Sequence, residues 1–313
     1  MSEVRSGELL FVKSVKDGIP NRDPLNDSDA RRLFGEEDGR ISLSDVSIKR
    51  DVRDYILARY PDGGDGTLHI FVREERTPDG KLLGRKSLAE RIVGGNGGSM
   101  REALPRAAFD VRVFGAVYSV PHDSFHLTGP VQLGWAHSLH PVESRYVQGT
   151  VVLASDEERG SEQGTIWTSF IVPFAVFAMP GVINAALARE TGMTARDLEL
   201  LIEALWRGTR HRQARGRGIQ EPLFLLHVEY EDPFFRIGYL DEEVRLLPER
   251  EAWLAATRPT SVAEVALDVS RLGQRLLEFR SQLARVRYWL NPALRLEGDE
   301  SLREVAGDPQ PLL

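Results

Sequence analysis

The sequence contains no cysteine. That excludes disulfides, thiolate nucleophiles and cysteine-based zinc sites, and it fits a reducing compartment. No run of about 18 apolar residues occurs, so no transmembrane helix is expected. The opening residues, MSEVRSGELLFVKSV, lack a signal peptide's long apolar segment and cleavage site. A cytoplasmic protein is therefore expected. Surplus positive charge is also missing: 40 Lys and Arg stand against 47 Asp and Glu, a formal net charge of −7. Bulk charge argues against a nucleic-acid binder. Phosphate contacts act within about 10 Å at ordinary salt, however, so local clustering matters more than the sum. No GxSxG, Walker loop, HExxH or Rossmann glycine pattern is present. The segment 94–98 is glycine-rich but has no following lysine, which argues against a phosphate cradle. There is no sequence repeat and no low-complexity tract.

What is present is an ordinary globular composition, 42% hydrophobic and 28% charged over 313 residues. That length suits one large or two ordinary domains. Residues 8–15 read as a buried strand, followed by a loop dense in turn formers. A helix is predicted over about 45–59, opened by Ser44 and Asp45 as capping residues. A short strand is predicted over 67–73 and a polar stretch over 76–98. Ser99 and Glu102 have the spacing of a capping box for a helix running to Gly115, kinked by Pro105, although Phe109, Val111 and Val113 also fit a strand. The pattern then turns to β over 131–135, 145–154 and 165–178. The last two flank a polar, glycine-bearing tip at 155–164, as in a long hairpin reaching for a partner. Thr194 and Asp197 cap a second clear helix, with Leu198, Leu201, Ile202 and Leu205 on its core face and Gly208 at its end. A basic loop over 209–220 and a buried strand over 223–230 follow. Apolar residues at alternating three- and four-residue steps from Val262 to Leu290 predict one long amphipathic helix over 260–291.

Charge clusters carry the functional reading. In the 45–59 helix, Ile48, Val52, Tyr55 and Ile56 form the docking face. Lys49 and Arg53 share one flank of it, a spacing suited to a string of phosphates near free helix N–H groups. Arg50 and Asp54 share the outer side and can pair. Taken alone, the segment also reads as a solvated charged face. Arg207, Arg210, His211, Arg212, Arg215 and Arg217 make the densest cluster, with no acidic residue between Glu203 and Glu221. Arginine forks match phosphate oxygens, and Gly208, Gly216 and Gly218 would let the backbone approach a ligand. Asp17 and Asp23 follow the first strand, where a carboxylate could bind a metal or activate a hydroxyl, although turn capping is the ordinary role of such residues. His122/His126 and His137/His140 have possible metal-ligand spacing but do not share one helix.

Several segments, in order, resemble a known family. Ile19-Pro20-Asn21-Arg22-Asp23-Pro24 precedes Ser44-Asp45-Val46-Ser47-Ile48-Lys49-Arg50. Asp110-Val111-Arg112-Val113-Phe114-Gly115-Ala116, Thr128-Gly129-Pro130-Val131-Gln132 and Gly181-Val182-Ile183-Asn184 follow. Leu205-Trp206-Arg207-Gly208-Thr209, Val228-Glu229-Tyr230 and Ile237-Gly238 complete the set. Over about residues 8–245 the chain resembles the backbone subunit of the CRISPR Cascade surveillance complex, the Cas-seven family, in its DevR-like (Csh-two, type I-B) branch. Arg22 stands where the family usually has glycine and Ile19 where it has asparagine. The family's Arg-Ser-Lys segment is Arg215-Gly216-Arg217 here.

The resemblance implies an α+β chain, a single hand-shaped domain over 1–313. Its palm would be ferredoxin-like, of RNA-recognition-motif type. A finger region would lie at about 76–98, and a thumb hairpin within about 130–178 would carry Thr165, Ile166 and Trp167. It implies binding to a CRISPR RNA, with Lys49, Arg53, Arg50, Asn21, Arg22, Arg210, Arg212, Arg215, Arg217 and Gln220 as candidate contacts. Further copies of the chain would polymerise along the guide, each thumb kinking it, and would hold it for pairing with target DNA. Other Cascade subunits and a separate helicase-nuclease would be partners; no membrane, cofactor, metal or catalysis is implied. The alternative is a backbone ribonuclease, as in type III complexes, using Asp23 or Asp17.

Overall fold

The computed structural model describes residues 3–26, 29–94, 98–121, 123–150 and 166–312. The chain begins with β1 (Gly7–Lys16), β2 (Ser42–Leu43) and α1 (Asp45–Arg59). Three short helices follow: α2 (Arg85–Val93), α3 (Met100–Ala107) and α4 (Phe109–Phe114). Then come β3 (Gly115–Tyr118), β4 (Phe125–Thr128), β5 (Val131–Leu133), β6 (Ala136–Ser138), β7 (Arg145–Thr150), β8 (Ile166–Ile171) and β9 (Phe174–Ile183). Next are α5 (Ala185–Thr191), α6 (Ala195–His211) and β10 (Ile219–Tyr230). The last stretch holds β11 (Arg245–Leu247), α7 (Arg250–Leu254), β12 (Ala266–Asp268), α8 (Ser270–Glu278), β13 (Leu283–Leu290), β14 (Arg295–Glu297) and α9 (Glu300–Ala306).

The architecture is α+β on an antiparallel sheet of seven strands, in the order β13-β10-β1-β9-β6-β2, with β5 also on β9. β1 is buried along nearly its whole length because both of its faces are covered. Leu9, Phe11 and Val15 meet Ile48, Val52 and Ile56 of α1 and Leu201, Ile202 and Leu205 of α6. Leu10 and Val12 face the other way, into a second core with Trp253, Leu267, Leu272, Leu276 and Leu302. The α6 face is the one its sequence spacing predicts. Its capping box also forms, with Thr194 accepting from Asp197 N–H and Asp197 from Thr194 N–H. The helix runs past Gly208 to His211, so part of the predicted basic loop is its last turn. At Gly208 a Cβ would lie 2.5 Å from the Asp51 carbonyl oxygen. The glycine therefore lets α1 and α6 touch.

Several expectations change. The predicted helix over 260–291 is instead a 3-10 turn, β12, α8, a second 3-10 turn and β13. Its apolar spacing is real, but only 270–278 is α-helical. From Leu283 the chain pairs with the edge of β10, from Phe224 opposite Leu290 to Tyr230 opposite Leu283. Val286 and Tyr288 go to the second core and Trp289 to the first, a period of two. Backbone pairing on an open strand edge, with β-branched and aromatic residues that suit it, outweighs the heptad-like pattern. Residues 67–73 make a single bridge, His69 to Ala108, rather than a strand. The predicted helix to Gly115 breaks at Ala108, whose backbone is extended, three residues beyond Pro105. Neither Ser99 nor Ser44 caps its helix with a side chain. The 76–98 stretch contains α2, whose Leu88, Ala89 and Ile92 join a small third core. Hairpin β7–β8 pairs Arg145–Thr150 with Ile166–Ile171, whereas β9 belongs to the central sheet. The predicted tip 155–164, Thr165, His122 and Gly95–Gly97 lie outside the described residues.

Candidate nucleic-acid interface

The loop after β1, the start of α1 and the loop between α6 and β10 converge on one groove of about 880 Å³. Asn21 ties the first two together: its Oδ1 accepts from Ser44 N–H at 2.8 Å and from the Ser44 hydroxyl at 3.0 Å. The first and third meet backbone to backbone, since a Cβ on Gly18 would lie 2.0 Å from Gly218 N. Gly218, at φ +72°, and Gly18 thus serve an internal contact rather than a ligand's approach. Seven arginines line the groove: Arg22, Arg31, Arg50, Arg53, Arg212, Arg215 and Arg217. Asp45 is the sole acidic residue among its lining. Arg31 lies 6.0 Å from the centre of the Trp135 ring, a flat face beside a cation. Such a surface suits a polyanion bearing planar groups.

Behind the groove sits Asp51, on α1 and fully buried. Its Oδ1 accepts from Arg212 Nη1 at 2.9 Å and Arg217 Nη2 at 2.8 Å, and its Oδ2 from Lys13 Nζ at 3.1 Å. Lys13 reaches it beside a bulge in β10, where Val12 pairs with Phe224 but Lys13 with Pro222. Pro222 has no N–H to give the ladder, which favours the irregularity there. Burial lowers the Lys13 ammonium from its ordinary value, with Asp51 opposing and Arg217 adding to the shift. Burial also lowers the Arg217 guanidinium, again opposed by Asp51. Buried charge of this kind is held only by direct pairing.

The candidate residues divide three ways. Arg50 lies at the groove, its side chain 49% exposed, with Nε on Asp54 Oδ1 at 2.6 Å. Arg22 and Arg215 are exposed in its lining as well. Arg53, Arg212 and Arg217 line it but are anchored to carboxylates. Arg53 Nε donates to Asp110 Oδ2 at 2.8 Å, and Asp110 also takes the N–H groups of Phe71 and Val72. Lys49, Arg210 and Gln220 stand outside the lining. Lys49 pairs with Asp45 at 2.8 Å beneath the Phe114 ring, Arg210 with Glu221 at 2.6 Å, and Gln220 braces Arg217. Lys49 and Arg50 are thus both paired with an acid of the same helix, but Arg50 is the more exposed, 49% against 13%. On the hairpin, Ile166 is 66% exposed, and Trp167 lies 5.1 Å from the Arg215 guanidinium, linking hairpin to arginine loop.

Asp17 and Asp23 are outside the groove lining. Asp23 Oδ1 accepts the Leu25 N–H in a turn, and Asp17 occupies a left-handed turn position at φ +57°. His140 is buried and stacked on Trp253 with ring centres 3.5 Å apart. Its Nδ1–H donates to Pro141 O and its Nε2 accepts Val176 N–H, so both nitrogens are used. Burial pushes it down to about 4. His137 pairs with Ser42, and His126 is at the surface beside Thr128. Among the described residues no group of three or more His, Asp or Glu is placed to hold a metal. Lys13, Arg31, Asp51 and Trp135 are the residues that sequence reasoning passed over. Only Asp51, an acid in the middle of an amphipathic helix's buried face, carried a local signal.

The chain belongs to the family described as CRISPR-associated protein Cas7, which matches residues 5–270. A CRISPR-associated protein Cas7 from Haloferax volcanii is 27% identical over 332 residues, covering 97% of this chain and 92% of the relative. Two solved chains share the fold. One, from a "CRISPR RNA-guided surveillance complex, pre-nicking", has a TM-score of 0.55 at 13% identity, covering 95% of this chain and 97% of its own. The other, from a "CRISPR RNA-guided surveillance complex", has a TM-score of 0.52 at 14% identity, covering 95% and 96%. No helix among the described residues is long and apolar enough to cross a membrane.

Proposed function

We propose that this chain is a non-catalytic backbone subunit of a type I, I-B-like, CRISPR RNA-guided surveillance complex in the cytoplasm. Copies line up along the CRISPR RNA and present it for pairing with target DNA, alongside other subunits and a separate helicase-nuclease. The observation that carries this reading is the groove: seven arginines and one acid in a protein of net charge −7. Arg22, Arg50, Arg53, Arg212, Arg215 and Arg217 hold guide phosphates, and Asn21 fixes the loop that presents them. Contacts of this kind position a strand without reading its sequence. In this reading the whole chain is one hand-shaped domain. Its palm is the ferredoxin-like unit β1-α1-β6-β9-α6-β10, and strand order β10-β1-β9-β6 with α1 and α6 on one face supports that view. The 76–98 segment belongs to the fingers, and β7–β8 is the thumb that Ile166 and Trp167 bring against the guide.

The test is to express the chain with a CRISPR array and its companion subunits, and to size the RNA that co-purifies. RNA of one discrete length is expected, and Arg50→Ala with Arg215→Ala should reduce the amount retained. RNA of random length, or none, would sink the reading. Regular magnesium-dependent cutting of bound target RNA, abolished by Asp23→Ala, would replace it with a backbone ribonuclease.

A further inference from the structure

We propose that Asp51, fully buried behind the groove, is a positioning residue for it; the inference rests on the RNA-binding reading above. Three cations from three separate segments end on this one buried carboxylate: Lys13 from β1, Arg212 from the end of α6 and Arg217 from the arginine loop. Arg212 and Arg217 are also groove-lining residues. Asp51 therefore decides where two groove-lining forks point. The same residue is the contact between the helices, through its carbonyl oxygen against Gly208. The hydrogen bonds are complementary. Arg212 Nη1 is shared between Asp51 and Ser47 O, and Arg217 Nη1 is held on Pro20 O, so each fork is fixed at two points. Two guanidinium groups and the Lys13 amine share one buried carboxylate. The partly exposed Asp54 adds a second, at 3.5 Å from Arg212 Nε, but it is shared with Arg50. The surplus is left for an incoming anion, and Asp51 keeps it in one geometry.

This makes a prediction opposite to simple charge counting. Removing a carboxylate beside a phosphate groove should tighten RNA binding, because one repulsion is lost. Asp54→Asn should do this, with affinity for single-stranded oligouridylate up about two- to threefold and a salt dependence at least as steep as wild type. Asp51→Asn makes the same charge change and keeps the side-chain shape. It should nevertheless lower affinity about tenfold and flatten the salt dependence, because two forks lose their anchor. The full-length chain is used, with binding measured across a salt series and folding checked by thermal melting. Should Asp51→Asn fail to fold, Arg212→Lys decides. It keeps the charge but has no fork to join Asp51 and phosphate at once, so weaker binding is expected. The two Asp→Asn variants moving together in either direction, or folded Arg212→Lys binding like wild type, would overturn the role of Asp51. A wild-type chain that binds no oligouridylate removes the RNA reading itself, and this proposal with it.

Discussion

The central sheet is covered on both faces, but only one side opens onto the groove. On the α1/α6 side, the sheet carries two long helices whose ends leave a cleft beside the loops. On the other, the chain from 240 onward packs a complete second core over Val12, Val176 and Leu226. A bare sheet face is the usual stacking platform of RNA-recognition-motif proteins. Here that face is occupied by Leu267, Leu272 and Leu276, so in the proposed reading RNA is met at the loops where α1 begins and α6 ends. Arginines concentrate there, while the opposite core takes apolar side chains and one neutral histidine. The family match ends at residue 270, before β13 completes the sheet. The groove lies wholly within the matched part.

The comparison can be broken by acid first. Each side holds a buried histidine kept neutral, His140 against Trp253 at about 4 and His227 beside Arg287 at about 3. Burial is the main cause of both shifts. Since the unfolded chain binds protons below about 6.5 while the folded chain does not, stability is full above that pH and falls as pH drops toward 4. The loss should reach about 3 kcal/mol for His140 alone, read from urea midpoints across pH, and His140→Gln should flatten the slope. Next in size, Leu272→Ala should cost about 3 kcal/mol by opening the second core. RNA affinity of the remaining folded molecules should not change; a parallel loss of affinity would show that the two sides are not separable. A smaller effect is expected at the groove itself. Arg50→Ala should weaken RNA binding about threefold and reduce the salt slope by about 1, with the melting temperature unmoved. Smallest of all, Lys49→Ala should leave RNA affinity at the wild-type value in the same titration. An effect equal to that of Arg50→Ala would move the interface toward Phe114.

Legibility followed the range of the interactions. The α6 helix was readable because Thr194, Asp197 and its leucines are a local pattern that the fold leaves intact. So was the i, i+4 pair of Arg50 and Asp54, which forms as its spacing predicts. The first strand was readable from its apolar stretch, residues 9–12. The tail misled for the opposite reason. Spacing from Val262 to Leu290 fits a helix, and nothing local says that β10 has an open edge waiting for Leu283–Leu290. At the candidate site, arginine density was visible, but the partners were not: Asp51 and Asp110 are hydrogen-bonded to residues from 38 to 166 positions away. Gly208 and Gly218 read as room for a ligand and are used where segments of the fold touch.

By itself, the sequence determined the burial of β1, α1 and α6 and the presence of a cationic cluster in an acidic chain; family membership rested on motifs in order along most of the chain. The first two depend on composition or on spacing within one element, where helix and strand periods act directly. Tertiary structure alone decided which groove arginines are exposed and which are fixed in place by buried carboxylates. It also decided that the tail returns as a strand and closes one face of the sheet. Those outcomes depend on pairing across long sequence separations, where a charge or a strand edge is satisfied by whatever the fold brings beside it.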